Sequence, residues 1–284
     1  MNATPPDVRE WFGAPLTVYP DLVQGSDEWL AERCGIVTAS VVGDLITTRK
    51  LTAIDYTCPA CGAPPDAPCH SKAKAGTSIK TLHHERADVA RRTGTIVLHP
   101  ANNETARGLT TQIAAERITG WTDPTYMSDD MLRGIEDEPR ARDTYSEHFA
   151  PVHEVGFMVR DHNGLRIGYS PDGLVGSEGL IEIKSRRPRL HVAHVLAGRP
   201  PTEVQAQLQC ALLVSGRQWI DYISFSGGMH LWVNRVHPDP RWFDAILTAV
   251  HTLESNAADM IRRYHEAVDG LPITERITEM EMVL

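Results

Sequence analysis

The sequence predicts an α/β fold with a small metal-binding insertion, and three observations predict it. Apolar–polar alternation typical of strands, at 165–170 and 180–184, is followed by helical periodicity and then by two further β-prone runs, 219–225 and 231–236. The chain has 284 residues, 42% of them hydrophobic and 23% charged, which is ordinary for a globular protein with a sizeable core. Three of the five cysteines, Cys58, Cys61 and Cys69, crowd into a stretch whose prolines and lysines set it apart from its flanks.

Residues 1–23 contain four prolines and read as an irregular lead-in. A helix is expected from Ser26, an N-cap followed by Asp27 and Glu28 in the first turn, with Trp29, Leu30 and Arg33 at helical spacing and Gly35 ending it. Ile36 to Thr38 is β-prone, and Thr38 or Ser40 is expected to cap a second helix running to Leu45. Residues 50–100 look like an insertion with its own small fold; its module is placed at 52–92 within one domain spanning 1–284. Helices are expected at 105–119 (Leu109, Ile113, Ile118 apolar) and at 128–149, the latter carrying Glu136, Asp137 and Glu138. The glycine-rich 173–179 connection joins the first two strands as a hairpin-like turn. A helix follows at about 202–214. A long amphipathic helix closes the chain with Phe243, Ile246, Val250, Leu253, Met260 and Tyr264 on one face.

No run approaches the roughly 18 apolar residues of a membrane span. Met1 to Glu10 has neither a basic start nor an apolar run, so a cytoplasmic location is expected. The formal charge of −9, from 37 acidic and 28 basic residues, argues against a protein that coats nucleic acid through a basic surface. It leaves room for a local cationic patch, such as Lys184, Arg186, Arg187 and Arg189. An odd cysteine count speaks against a disulfide framework and for metal binding by the cluster. Cys34 and Cys210, alone in apolar surroundings, read as small buried hydrophobes.

The chemistry concentrates at LIEIK, 180–184. Side chains two apart share a strand face, so Glu182 and Lys184 point one way and Ile181 and Ile183 the other. Charged groups on such a face are costly unless they are used. Asp172, after Pro171, ends the preceding strand; if the two strands pair, two carboxylates meet and repel unless a cation lies between them. Hard carboxylate oxygens select Mg2+ or Mn2+, which activate a phosphodiester and a water. Lys184 would orient that water or neutralise charge on the phosphate.

Asp172, nine residues, then Glu182-x-Lys184 is the PD-(D/E)XK nuclease pattern. Three further segments sharpen it. QGSDEWLAERCGIVTAS, 24–40, resembles the opening motif of the lambda exonuclease (YqaJ-like viral recombinase) family, whose matching Arg and Ser hold a 5′-phosphate; the resemblance gives those roles to Arg33 and Ser40. RGIEDEPRAR, 133–142, is similar to a family motif in which a Gly is followed four residues on by a metal-binding Glu. That role falls on Glu138, with Glu136 and Asp137 as nearby competitors. VQAQLQC, 204–210, is similar to the family's Ala-Gln-x-Gln segment. Gln207 shares an inward stripe with Val204 and Ala211, beside the metal-bound water or the scissile phosphate.

The resemblance covers about 21–49 and 105–265. It implies a restriction-endonuclease-like core with a central mixed sheet flanked by helices. The implied Mg2+ ligands are Glu138, Asp172, Glu182 and the Ile183 backbone, with Lys184 and Gln207 completing the catalytic set. The implied activity is 5′-to-3′ digestion of linear duplex DNA with free ends, by a homo-oligomer, often a trimeric ring, feeding a single-strand annealing recombinase in phage recombination. An endonuclease on the same core, or an inactive zinc-bearing adaptor, is the alternative.

Cys58-x-x-Cys61, seven residues, Cys69 and thirteen residues to His83 make a four-ligand structural zinc set. It resembles a small zinc-binding module of actinophage proteins ending in His-x-x-Arg; His84 and His70 are alternatives to His83. The insertion's lysines, Lys72, Lys74 and Lys80, suggest contact with a DNA backbone or a partner.

Overall fold

The computed structural model describes residues 4–71, 73–74, 77–123 and 127–276. Lys72 lies outside the described residues.

The lead-in is more ordered than its prolines suggest. α1 (Val8–Gly13) is opened by a capping box in which Asp7 accepts from the Arg9 and Glu10 amides, and β1 (Leu16–Tyr19) follows. Pro5, Pro6, Pro15 and Pro20 flank these elements without interrupting them, so no backbone donor is lost inside either. Trp11 is fully buried and donates through Nε1 to the Leu213 carbonyl at 2.9 Å, which pins the N-terminus to the core.

α2 (Asp27–Arg33) begins as expected, with Ser26 Oγ accepting from the Trp29 amide. Gly35 then turns the chain at φ 70, a conformation that suits glycine. β2 (Val37–Thr38) follows. The expected capped helix is only a 3-10 turn, Val42–Leu45, with no side-chain cap. Thr38 is committed to β2, and its hydroxyl meets that of Ser40 at 3.1 Å, so neither was free to cap.

β3 (Ile46–Lys50) and β4 (Ile96–Pro100) pair antiparallel, Ile46 with Pro100 and Lys50 with Ile96. They form a two-stranded stalk bracketing the cysteine-bearing segment, which includes α3 (His84–Thr93). The chain then re-enters the body through α4 (Glu104–Thr119) and α5 (Asp129–His148).

The remaining strands are β5 (Phe157–His162), β6 (Leu165–Tyr169), β7 (Gly173–Val175), β8 (Gly179–Ser185), β9 (Trp219–Phe225) and β10 (Trp232–Val236). The β-structure is mixed and falls into two four-stranded sheets, ordered β1-β5-β6-β2 and β10-β9-β8-β7, in which the β2–β6 and β8–β9 pairs are parallel. The expected pairing of the 165–170 and 180–184 strands is not what forms. β6 pairs with β5, and the hairpin partner of β8 is the short β7, with Gly173 opposite Ile181. A Cβ on Gly173 would fall 2.2 Å from Val152 Cγ1, so the approach at that position needs glycine.

α6 (Pro188–Ala197) follows β8 directly, with Pro188 at its first position; of the basic patch it contains only Arg189. α7 (Gln205–Ser215), entered through a 3-10 turn at Thr202–Val204, is buried along almost its whole length between the sheets and α8 (Pro240–Ala267). On α8, Phe243, Ile246, Val250 and Leu253 are buried, Met260 packs at the margin of the core, and Tyr264 is exposed. No helix among the described residues is long and apolar enough to cross a membrane.

Candidate active site

β8 is the strand on which the site is built. Its odd positions Ile181 and Ile183 pack with Ala141 and Tyr145 of α5 and Ile223 of β9. Leu180 belongs to the larger core around α7, and Glu182 and Lys184 continue its face. Glu182 is 2% exposed. Its Oε1 accepts from Lys184 Nζ at 2.8 Å and from Gln207 Nε2 at 2.6 Å, so the α7 amide and the β8 ammonium converge on one oxygen. Its Oε2 is buried and without a hydrogen-bond partner among the described residues.

Asp172 sits just before β7, and its Oδ2 accepts from the Ile183 amide at 2.6 Å. The register of the β7–β8 hairpin, and not a pairing of β8 with β6, brings Asp172 to Glu182. Burial first, and then Glu182 and Glu138, push the Asp172 carboxyl well above the usual carboxylate range; Lys184 and the Ile183 amide oppose this. Glu138, from the middle of α5, is pushed up by burial, with Glu182 and Glu154 adding to the shift and Arg142 opposing it. Burial alone would lower the Lys184 ammonium, but Glu182 and Asp172 outweigh it and hold the group above its usual value.

Three carboxylates therefore repel one another around a buried, unpartnered oxygen. That donor set fits a hard divalent cation, which would take the place of the missing proton or donor.

Arg142 is the organiser that the sequence reading passed over, although it ends the quoted 133–142 motif. Its Nη2 pairs with Glu138 Oε1, its Nε donates to the Asp172 carbonyl at 2.8 Å, and its Nη1 meets Glu154 at 2.8 Å. The signal was present: Glu138 and Arg142 stand at i,i+4 spacing on one helix. The competitors of Glu138 separate cleanly. Asp137 faces away, accepting from Ser185 Oγ at 2.7 Å and from Arg140, while Glu136 is exposed.

The 24–40 segment docks beside this centre. Val37 and Thr38 pair with Ile167 and Gly168 of β6, and Trp29 Nε1 donates to Ser170 Oγ at 3.0 Å, two residues before Asp172. The Arg33 guanidinium lies over the Trp29 ring at 4.3 Å. Gly35 is clamped from α4, its amide donating to Glu116 at 2.7 Å and its carbonyl accepting from Arg117 at 2.9 Å. Of the basic patch, Arg187 is paired with Asp130 and Arg186 reaches Tyr222 at 3.5 Å. Cys210 is buried as expected, whereas Cys34 is only half-buried and points its sulfur at the Glu116 carbonyl.

In the insertion, the ligand atoms of Cys58, Cys61, Cys69 and His83 lie within 4.8 Å of one another. His83 is the histidine that joins: its Nδ1 is 3.4 Å from Cys58 Sγ, while His84 turns outward to Glu85. The His70 amide donates to Cys61 Sγ and, as the largest influence, brings that thiol down to about 6; burial pushes the Cys58 thiol up. The cluster is compatible with a tetrahedral zinc ion.

Mixed sheets flanked by helices, with Asp172, Glu182 and Lys184 gathered at β8, define a restriction-endonuclease-like α/β protein. The YqaJ-like viral recombinase domain matches residues 28–218, and the chain belongs to that family. The crystal structure of an alkaline exonuclease, LHK-Exo, from Laribacter hongkongensis is similar, with a TM-score of 0.60 and 25% identity over 87% of this chain and 100% of that one. The structure of LHK-Exo in complex with dAMP matches at a TM-score of 0.59, with the same identity and coverage. No curated protein sequence matches the chain.

Proposed function

We propose that the protein is a Mg2+- or Mn2+-dependent exonuclease that digests linear duplex DNA from 5′ ends, leaving 3′ single strands for annealing-type phage recombination. The observation that carries this reading is the convergence of Glu138, Asp172, Glu182 and Lys184 around a buried carboxylate oxygen that lacks a partner. The likeness to an alkaline exonuclease, one of whose structures holds dAMP, supports it.

Glu138, Asp172, Glu182 and the Ile183 backbone would hold a divalent ion, which would supply Lewis-acid activation of the scissile phosphodiester. The chain's own groups do the rest. Lys184 offsets negative charge gathering on the phosphate, and Gln207 fixes the Glu182 carboxylate in its rotamer. Arg33, a planar fork donor stacked on Trp29, and Ser40 receive the 5′-phosphate. Arg142 holds Glu138 and the Asp172 backbone in one geometry. Zinc on Cys58, Cys61, Cys69 and His83 shapes the 52–92 module within a single 1–284 nuclease domain, and the exposed Lys74 and Lys80 give that module charge with which to approach a DNA backbone. A homo-oligomeric ring, an annealing partner and a host-cytoplasmic location complete the reading.

The test is digestion of end-labelled linear duplex, with and without a 5′-phosphate, beside covalently closed circles. Nucleotide release from the linear DNA in Mg2+, arrest by EDTA and intact circles are expected. Cutting of the circles would make the protein an endonuclease, and inertness on all substrates in Mg2+ and Mn2+ would make it a binding adaptor.

A further inference from the structure

The insertion encloses a cation that the proposed function does not use. Arg86 stands in the first turn of α3, three residues after His83, and its side chain is 0% exposed. A guanidinium carries five N–H donors and no acceptor. All five are engaged. Nε donates to the Tyr56 carbonyl at 2.6 Å; Nη1 donates to the Ala67 carbonyl at 2.7 Å and to Cys69 Sγ at 3.6 Å. Nη2 donates to the carbonyls of Ile54 at 3.0 Å and Pro64 at 2.6 Å. None of these five partners is a carboxylate. A charge taken fully out of water is costly unless an opposite charge faces it, and the Cys69 sulfur is the one partner of the five that can become an anion.

With a metal in place the charge count closes. As each cysteine sulfur forms its bond to the ion, its proton leaves to solvent, so three thiols become three thiolates. Three negative charges and a neutral imidazole against a dication leave one net negative charge, which the Arg86 guanidinium cancels. Arg160 provides the contrast within the same chain. It also donates to carbonyls, those of Val214, Phe12 and Ala14, but it lies over the Phe12 ring, stays 6% exposed and touches no sulfur.

We propose that Arg86 is the counter-charge and positioning residue of the Cys58–Cys61–Cys69–His83 centre. It neutralises the metal–thiolate cluster through Cys69 while clasping the carbonyls of 54, 56, 64 and 67 around it. Zinc binding and folding of the insertion are then a single event. His83 and Arg86 leave the same helical turn, so α3 is fastened once by the metal and once by the clasp.

This inference rests on reading the cluster as a zinc site, and the experiment separates the two. Full-length protein is analysed for zinc, and affinity is measured by chelator competition for the wild type, Arg86→Lys, which keeps the charge, and Arg86→Gln, which does not. A wild type that binds no zinc overturns the reading of the cluster itself. With zinc bound, the expected order of affinity is wild type, then Lys, then Gln, the last weaker by about 10–100-fold. In Co2+-substituted protein, the thiolate charge-transfer band is expected to shift in Arg86→Gln and to stay closer to wild type in Arg86→Lys. Gln binding as tightly as Lys, or both binding as tightly as wild type, overturns the counter-charge role. Should the variants not fold, hydrogen exchange on the wild type decides. Chelation of zinc is expected to strip protection from 54–67 and α3 while β8 and α7 keep theirs; protection that persists in 54–67 without zinc overturns the proposal.

Discussion

Glu182 gives both of its protein donors to one oxygen and leaves the other bare, and that asymmetry governs how the site should respond to change. Glu182→Gln keeps the volume but removes the negative charge, and should cut digestion by about 10²–10³-fold or more with little loss of Tm, read by nucleotide release and circular dichroism. Arg142→Met frees Glu138 and the Asp172 carbonyl together; a weakening of Mg2+ binding by about 10–100-fold is expected in calorimetry, with circular dichroism unchanged. The Asp172 carboxyl is raised in the metal-free fold, so the folded state binds more protons than the unfolded one above the ordinary carboxylate pKa. Stability of the metal-free protein should therefore fall as pH climbs from that ordinary value through the raised one, the reverse of a salt-bridged carboxylate. On the proposed function a divalent ion would replace the proton, so the gain in Tm on adding Mg2+ should grow with pH, and binding should release protons. A Tm gain that is flat between acid and neutral pH would contradict this.

Elements carry a second set of consequences. The stalk of β3 and β4 is closed at Lys50 and Ile96, so replacing 51–95 by an Asn-Gly turn should leave the nuclease core folded and free of zinc, as followed by metal analysis and thermal melting. Collapse of the core on excision would show that the insertion is part of it. Tyr145 joins α5 to β9 by donating to Asp221 at 2.7 Å, in a buried network that Arg235 completes. Tyr145→Phe leaves the carboxylate short of a donor and should cost about 1.5–3 kcal/mol in urea unfolding. At this scale much was legible. α2 with its Ser26 cap, β9 and α8 stand close to where their caps and periodicity put them, because each has a local signal. β1 and β5 had weaker local signals and draw their order from partners far along the chain, as Leu16 does from Arg160, whereas α1 carries its own capping box and is then anchored by Trp11 on Leu213.

For the whole molecule, the charge of −9 sits beside a site that the proposed function gives to a polyanion, so binding to DNA would depend on a few local cations. Affinity for duplex ends should therefore fall with salt along a shallow slope, roughly 0.9 per phosphate neutralised in a plot of log K against log salt. A slope steeper than that of about 6–10 phosphate contacts would point to a far broader basic surface. The sequence by itself determined the fold class, the ligand types and the order of the motifs, because strand alternation, capping and the chemistry of carboxylate, ammonium and thiolate are local properties. Which strands pair, that Glu138 and not Asp137 turns to the centre, that His83 and not His70 joins the thiols, and that Arg142 and Arg86 organise the two sites were decided only in three dimensions. Those choices depend on register and on burial against distant segments, and one residue of register or one turn of helix exchanges a buried face for a solvated one.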